Sequence, residues 1–73
     1  MKEKIDMAYA GKKLRELRGI RTRSGVGKLL NIPYSTLQSY ETGTRMPPKE
    51  TRQKLADYYG VPETVIFLPQ TNR

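Results

Sequence analysis

The sequence contains neither cysteine nor histidine. Without cysteine, neither a disulfide nor a thiolate metal site can stabilise the fold, so packed helices must supply the buried surface. Without histidine, the chain lacks the usual general base at neutral pH, the imidazole metal ligand and the Ser-His catalytic arrangement. We therefore expect a protein that is not an enzyme and that needs neither a metal ion nor another cofactor.

Long apolar runs are also missing. No stretch approaches the roughly 20 apolar residues that a bilayer span requires, and the first residues, MKEK, lack the apolar region of a signal peptide. These absences predict a cytoplasmic protein that does not contact membranes. The 73 residues allow one domain and leave no room for a second, ligand-sensing one, so no small-molecule ligand is expected.

Acidic residues are few relative to basic ones. Fourteen lysines and arginines face seven aspartates and glutamates, which gives a net charge of +7. A field of one sign on so short a chain favours polyanionic partners, nucleic acid above all. The alternative is that the charge serves only to keep the chain dissolved.

The apolar pattern is helical. Met7, Ala10, Leu14 and Leu17 recur at spacings of three and four, which places them on one helix face. With Thr22 as a helix cap and glycines as stop signals, the pattern predicts five helices. Their expected bounds are Met7 to Arg18, Thr22 to about Leu30, Tyr34 to Thr42, Lys49 to Tyr59, and Glu63 to about Phe67.

No strand alternation or internal repeat is present, so the fold class is all-α, with helices joined by two to six residues. Residues 1–6 are expected to form a flexible arm, residues 7–68 the domain and residues 69–73 a tail. The expected core comprises Leu14, Leu17, Val26, Leu29, Leu37, Leu55 and Ala56, with Tyr40 and Tyr59 facing inward.

Several segments follow one another at the spacing of a known family. They are GKKLRELR from Gly11, Leu30-Asn31-Ile32, STLQSYETG from Ser35, Arg45-Met46-Pro47, and LADYYGVPETVIF from Leu55. In this order they resemble the phage repressor and Cro-like (Xre-type) helix-turn-helix proteins over Ala10 to Phe67. The resemblance implies a compact, lambda-repressor-like five-helix domain whose helices 2 and 3 form a helix-turn-helix, and a transcriptional repressor from a phage or mobile element.

Four residues depart from the family pattern. Arg23 stands where glutamine is usual, Gly27 where alanine is usual, Asn31 where glycine is usual, and Pro33 where a small polar residue is usual. Asn31 suits the left-handed conformation of a sharp helix end, and Pro33 prevents the helix from continuing. Gly27 is expected where a neighbouring helix comes too close for a side chain.

The third helix carries the expected contacts to bases. A helix-turn-helix inserts its second helix among base edges in the major groove. The candidates for base readout are Tyr34, Ser35, Thr36, Gln38 and Ser39, with Gln38 suited to a bidentate pair with adenine. The alternative is that the serines and threonine only cap an exposed helix end.

The resemblance also implies which residues bind phosphates and which one braces helix 3. The phosphate candidates are Arg23, Thr42, Arg45 and Lys49. We expect Arg21, Lys28 and Arg52 to be solvated instead. Glu41 is expected to pair with Arg15 or Arg18 of helix 1 and so to fix the pose of helix 3.

The last helix ends in four consecutive apolar residues, and one helix cannot bury all of them. In the family this segment often forms a two-fold dimer contact, so the candidates are Val65, Ile66, Phe67 and Leu68. A homodimer would bind a palindromic operator in double-stranded DNA. The alternative is a fully buried closing helix.

Two other functions remain open. The same fold serves antitoxins or adaptors that bind proteins, in which case the basic face would meet an acidic partner. RNA binding is the other, although it usually requires stacking aromatic side chains on a sheet, for which Tyr34 alone is a poor substitute.

Overall fold

Five helices make up the domain in the computed structural model, which describes the backbone of residues 4–70 and the side chains of residues 5–68. Their bounds are α1 Met7–Arg18, α2 Arg23–Leu30, α3 Tyr34–Thr42, α4 Lys49–Tyr59 and α5 Glu63–Ile66. The all-α fold class is confirmed. Each helix end agrees with its predicted position to within one residue.

Local signals set these helix ends. The side chains of Asp6 and Thr22 accept hydrogen bonds from the first turns of α1 and α2. Asn31 ends α2 in the left-handed conformation, with φ 58° and ψ 43°, and its N–H binds the last carbonyls of that helix. The predicted role of Asn31 is therefore confirmed. Lys54 of α4 also donates to the Leu30 carbonyl at 3.0 Å, which satisfies another helix-end acceptor.

The two ends of the described chain lie side by side. Lys4–Ile5 (β1) and Pro69–Gln70 (β2) form a two-residue antiparallel pair, and the Asp6 N–H donates to the Leu68 carbonyl at 3.0 Å. The expected arm and tail therefore have backbone partners at residues 4–5 and 69–70. The remaining residues of both segments, 1–3 and 71–73, lie outside the described part of the chain.

All five helices contribute to the core. Its buried side chains are the predicted Ala10, Leu14, Val26, Leu37, Tyr40, Leu55 and Ala56, together with Ile32, Ile66 and Phe67. Leu17 and Tyr59 are partly buried against this cluster.

Two residues predicted to face inward do not. Met7 is 39% exposed and Leu29 is 71% exposed. An α-helix turns by about 100° per residue, so the inward face of α2, which contains Val26, Gly27 and Leu30, leaves Leu29 on the flank. Ile32, from the turn after α2, is buried instead.

Gly27 is required by the turn rather than by a neighbouring helix. A Cβ atom at this position would lie 2.7 Å from the carbonyl oxygen of Ile32, and the Gly27 carbonyl accepts the Ile32 N–H at 2.8 Å. The chain after α2 therefore folds back directly onto Gly27. This contact corrects the prediction that a helix approaches there.

The C-terminal helix closes the core with two consecutive residues. Ile66 is fully buried and Phe67 is 4% exposed, because the chain leaves the helical conformation at Phe67 and both side chains turn inward. Arg52 of α4 binds Glu63 at 2.9 Å and the Pro47 carbonyl at 3.0 Å. Arg52 was predicted to be solvated, and that prediction was wrong because α5 folds back beside α4.

Candidate nucleic-acid interface

The predicted base-contacting residues lie on α3, directly after the tight turn from α2. Tyr34 is 52% exposed, Ser35 and Gln38 are exposed, and Thr36 and Ser39 are partly buried. The inward face of the same helix holds Leu37, Tyr40 and Glu41. A polar strip on α3 therefore faces outward, while its apolar side anchors the helix.

The serines and threonine do not hold the capping position of α3. Pro33 occupies that position, and its side chain makes no capping hydrogen bond. The Ser39 hydroxyl donates to the Ser35 carbonyl at 3.0 Å, one helical turn earlier. Ser39 thus has its acceptor capacity left for a ligand, whereas Ser35 and Gln38 are the more exposed candidates.

Glu41 binds two arginines from two different helices. Its side chain is fully buried, and its two carboxylate oxygens lie 2.9 Å from Nε of Arg18 on α1 and 2.9 Å from Nε of Arg23 on α2. The Arg15 guanidinium also donates to the Glu41 backbone carbonyl. The predicted brace between Glu41 and α1 is therefore present, and it extends to α2 as well.

The guanidinium of Arg23, the predicted phosphate ligand at the start of α2, has partners within the protein. Besides its bond to Glu41, its Nη1 donates to the Tyr34 hydroxyl at 3.3 Å, and its guanidinium carbon lies 5.6 Å from the centre of the Tyr34 ring. The hydrogen bond to Glu41 raises the pKa of Arg23 above its ordinary value. Arg23 thus stays charged, but the side chain predicted to bind phosphate is already engaged within the protein.

A polar cavity of about 510 Å³ opens beside this cluster, between the end of α1 and the start of α3. Arg18, Arg21 and Arg23 line it, together with Thr22, Ser24 and Tyr34. Arg21 is exposed, and its guanidinium also lies 5.6 Å from the Tyr58 ring centre. The cavity therefore presents three positive charges next to the first residue of α3.

The other phosphate candidates lie at the end of α3, in the loop after it and at the start of α4. Thr42, Arg45 and Lys49 are all exposed. The backbone N–H groups of Thr44 and Arg45 donate to the Ser39 carbonyl at 3.0 and 3.3 Å, so they stabilise the end of α3. Any anion bound at this end would therefore be held chiefly by the side chains of Arg45 and Lys49.

Negative charge is almost absent from this surface. Between Leu17 and Lys49 the sequence contains one acidic residue, Glu41. Because Glu41 is fully buried and paired with two arginines, no carboxylate from this segment faces the solvent. The outward side of the helix-turn-helix therefore has a polar strip within a positively charged border.

The four candidates for dimer contact divide into two pairs. Ile66 and Phe67 belong to the core, so these two residues are not available to a second chain. Val65 is partly buried and Leu68 is 38% exposed. Only this second pair reaches the surface.

An all-helical domain with a tight α2–α3 turn, an outward polar strip on α3 and basic residues on both sides defines a helix-turn-helix DNA-binding domain. A family model described as Helix-turn-helix matches residues 12–66. The chain belongs to this family, the phage repressor and Cro-like (Xre-type) helix-turn-helix proteins, which are DNA-binding regulators. No curated protein matches the sequence closely. None of the helices within residues 4–70 is long and apolar enough to cross a membrane.

Two features of the site have no direct signal in the sequence: the contact between Arg23 and Tyr34, and the cavity lined by three arginines. Arg23 and Tyr34 are eleven residues apart on different helices, so no periodicity relates them. The only signal was indirect, since a helix-turn-helix brings the starts of its two helices near one another.

Proposed function

We propose that this chain is a sequence-specific repressor that binds double-stranded DNA and places α3 in the major groove. The observation that carries the proposal is the outward polar strip of α3 within a segment, residues 18–48, whose single carboxylate, Glu41, is buried and paired with two arginines. A groove floor offers hydrogen-bonding base edges, and its walls carry phosphates. The polar strip of α3 matches the base edges, and the positively charged border matches the phosphates. Repression follows from the resemblance to phage repressors, and nothing in the site points to catalysis.

Base readout rests first on Gln38 and Ser35, because they are the most exposed polar residues of the strip. The Gln38 amide both donates and accepts, which suits the N6 and N7 atoms of adenine. Thr36 and Ser39 are partly buried, so they contact only bases that come close to the helix. Thr36 does so through its methyl group, and Ser39 through its hydroxyl oxygen, which is free to accept a hydrogen bond. Tyr34 completes the set at the start of the helix.

Phosphate binding rests on Arg45, in the loop after α3, and on Lys49, the first residue of α4, with Thr42 at the end of α3 as a third candidate. Arg23 contributes positive potential at the start of α2, although its side chain is bound to Glu41. Phosphate contacts add affinity and fix register without conveying sequence information. Phosphate contacts therefore determine how binding affinity depends on salt, whereas the α3 strip determines which DNA sequence is preferred.

The proposed assembly is a two-fold dimer that binds a palindromic operator with half-sites about one DNA turn apart. Val65 and Leu68 are the contact residues, since Ile66 and Phe67 are buried in the monomer. Sedimentation of Leu68→Lys should show weakened dimerisation, because a charge would enter an apolar contact. The matched variant Leu29→Lys changes another exposed leucine and should leave dimerisation intact. Equal weakening by both would place the contact elsewhere.

The experiment that tests DNA binding is a titration against random duplex DNA at rising salt. Each bound phosphate contributes about −0.9 to the slope of log affinity against log salt, so Arg45 and Lys49 alone predict about −1.8 for each protomer. Arg45→Gln should reduce the slope by about 0.9, and Gln53→Ala on α4 serves as the matched control. A flat salt dependence would contradict the proposal.

A second function, as an adaptor or antitoxin that binds a protein, is favoured by two exposed apolar residues. Ile20 is fully exposed, at 103%, and Leu29 is 71% exposed. Both lie outside the α3 strip. A pull-down from nuclease-treated lysate separates the two functions, because a stoichiometric protein partner would survive removal of DNA and would be lost in an Ile20→Ser, Leu29→Ser variant.

A further inference from the structure

The side chain of Arg23 links the buried Glu41 to Tyr34, the first residue of α3. The Glu41 carboxylate binds Arg23 Nε at 2.9 Å, and Arg23 Nη1 in turn donates to the Tyr34 hydroxyl at 3.3 Å. The Arg23 guanidinium also lies within 5.6 Å of the Tyr34 ring centre. Glu41 is itself held by Arg18 through its other oxygen. Arg23 is therefore fixed at one end by a buried carboxylate and contacts Tyr34 at the other.

The direction of the hydrogen bond between Arg23 and Tyr34 is set by chemistry. A guanidinium has only donors, so the Tyr34 oxygen must be the acceptor. The hydroxyl proton of Tyr34 then points away from Arg23, and the adjacent positive charge makes the hydroxyl a stronger donor and a poorer acceptor. Tyr34, which is 52% exposed, thus presents a hydrogen-bond donor at the start of α3.

Base edges in the major groove respond differently to a donor. Guanine offers N7 and O6, adenine offers N7 and thymine offers O4, all of which accept hydrogen bonds. Cytosine offers only its N4 amino group, which donates. A fixed donor can therefore form a hydrogen bond with guanine, adenine or thymine on the contacted strand but not with cytosine.

We propose that Arg23 is a positioning residue that holds Tyr34 as a hydrogen-bond donor, so that the operator excludes cytosine at the base that Tyr34 contacts. This inference rests on the proposed function, because it requires α3 to lie in the major groove. It also changes the role of Arg23, which acts on specificity through Tyr34 rather than by binding a phosphate.

The test is selection of bound duplexes from a random pool by the wild type, Tyr34→Phe, Arg23→Gln and Arg23→Lys, followed by affinity measurements at several salt concentrations. The wild type should select a motif with one position depleted of cytosine. Tyr34→Phe should reduce discrimination there by about 5-fold, the lower end of the range for a bidentate contact, because a hydroxyl donates one hydrogen bond. Arg23→Gln should relax the same position, and the double variant should show no further loss, since both changes remove one donor.

Arg23→Lys separates positioning from charge. A lysine keeps the positive charge but lacks the planar fork that binds Glu41 and Tyr34 together, so this variant should also relax the position. Arg21→Gln, at the neighbouring exposed arginine of the same cavity, should leave the motif unchanged. Thermal unfolding of each variant identifies those that fail to fold, and Tyr34→Phe, at an exposed site, keeps the test valid in that case.

Three results would overturn the inference. If Arg23→Gln weakens binding to all sequences, keeps the motif and lowers the salt slope by about 0.9, Arg23 binds a phosphate. If Tyr34→Phe loses affinity without a change of preference, the tyrosine donates to the backbone. If the wild type selects no motif at all, both this inference and the proposed sequence-specific binding fail. In the first two results a motif is still selected, so only the inference fails.

Discussion

Gly11 of α1 lies against the backbone of Glu41 on α3. A Cβ atom at Gly11 would be 2.5 Å from the Glu41 carbonyl oxygen and 3.0 Å from the Tyr40 carbonyl oxygen. The same Glu41 carbonyl accepts a hydrogen bond from Arg15 of α1. The helix that carries the proposed DNA contacts therefore packs directly against α1. The close approach of the two helices is possible because Gly11 has no side chain.

Gly11→Ala should destabilise the domain. Alanine adds about 1 kcal/mol of helix propensity, but overpacking against fixed backbone costs about 1–3 kcal/mol, so the net loss should reach about 1 kcal/mol. Chemical denaturation measures the difference. Gly25→Ala, in the first turn of α2, is the control, because its added Cβ would meet no backbone atom of another helix and only the Thr22 side-chain oxygen, at 3.0 Å. A more stable Gly11→Ala variant would contradict the close packing of α3 against α1.

Glu41→Gln should reduce the free energy of unfolding by about 3 kcal/mol or more, because it leaves two partly buried arginines without their shared carboxylate. The matched variant is Glu63→Gln. Glu63 also binds one arginine at 2.9 Å, but its side chain is 34% exposed, so the loss should stay below about 1 kcal/mol. Equal losses of unfolding free energy in the two variants would show that the burial of Glu41 does not increase its contribution to stability.

Tyr59→Phe should stabilise the domain at neutral pH by about 1 kcal/mol. The Tyr59 hydroxyl is buried, and within the described residues it has no hydrogen-bond partner, so removing it relieves a desolvation cost. Denaturant titration at pH 7 measures the gain, with Tyr58→Phe as the neighbouring control. A loss of stability would indicate a hydrogen-bond partner for the hydroxyl.

Tyr59 also predicts an alkaline effect. Burial raises the pKa of Tyr59 to about 12, above the value of about 10 in an unfolded chain. Between these two values the unfolded chain releases the proton while the folded protein retains it, so stability falls as the pH rises from about 10 to about 12. Tyr59→Phe should lose stability less steeply over this window. An identical decline in both proteins would refute the assignment.

Gln38→Ala should relax preference at one base position by about 1–3 kcal/mol and leave the salt slope unchanged, because it removes a base contact and no charge. Competition binding with single-base variants of the selected operator measures the change. Gln53→Ala, at an exposed glutamine on α4, should have no effect. An unchanged preference in Gln38→Ala would remove that residue from base readout.

The helices were predictable because their end signals are local. Thr22, Asn31 and the glycines act within one turn of the chain, so their effects can be inferred from neighbouring residues alone. The burial of Leu37 and the exposure of Gln38 followed from helical periodicity in the same way.

The incorrect predictions, and the contacts that the sequence did not indicate, concern relationships between helices. Leu29, expected in the core, is exposed, and Ile32 is buried, because the chain after the turn folds back onto Gly27. Arg23 and Arg52 find carboxylates eighteen and eleven residues away, on helices that only the tertiary fold brings near. A period counted along one helix contains no information about such partners.

The most direct test of the account is nuclear magnetic resonance mapping of the ¹⁵N-labelled chain with a duplex recovered by selection. If the polar strip of α3 enters the groove, the largest amide shifts will fall in the first two turns of α3, around Ser35 and Gln38, and near Arg45 and Lys49. Shifts confined to α4 and α5, with the amides of α3 unchanged, would contradict the claim that the polar strip of α3 enters the groove.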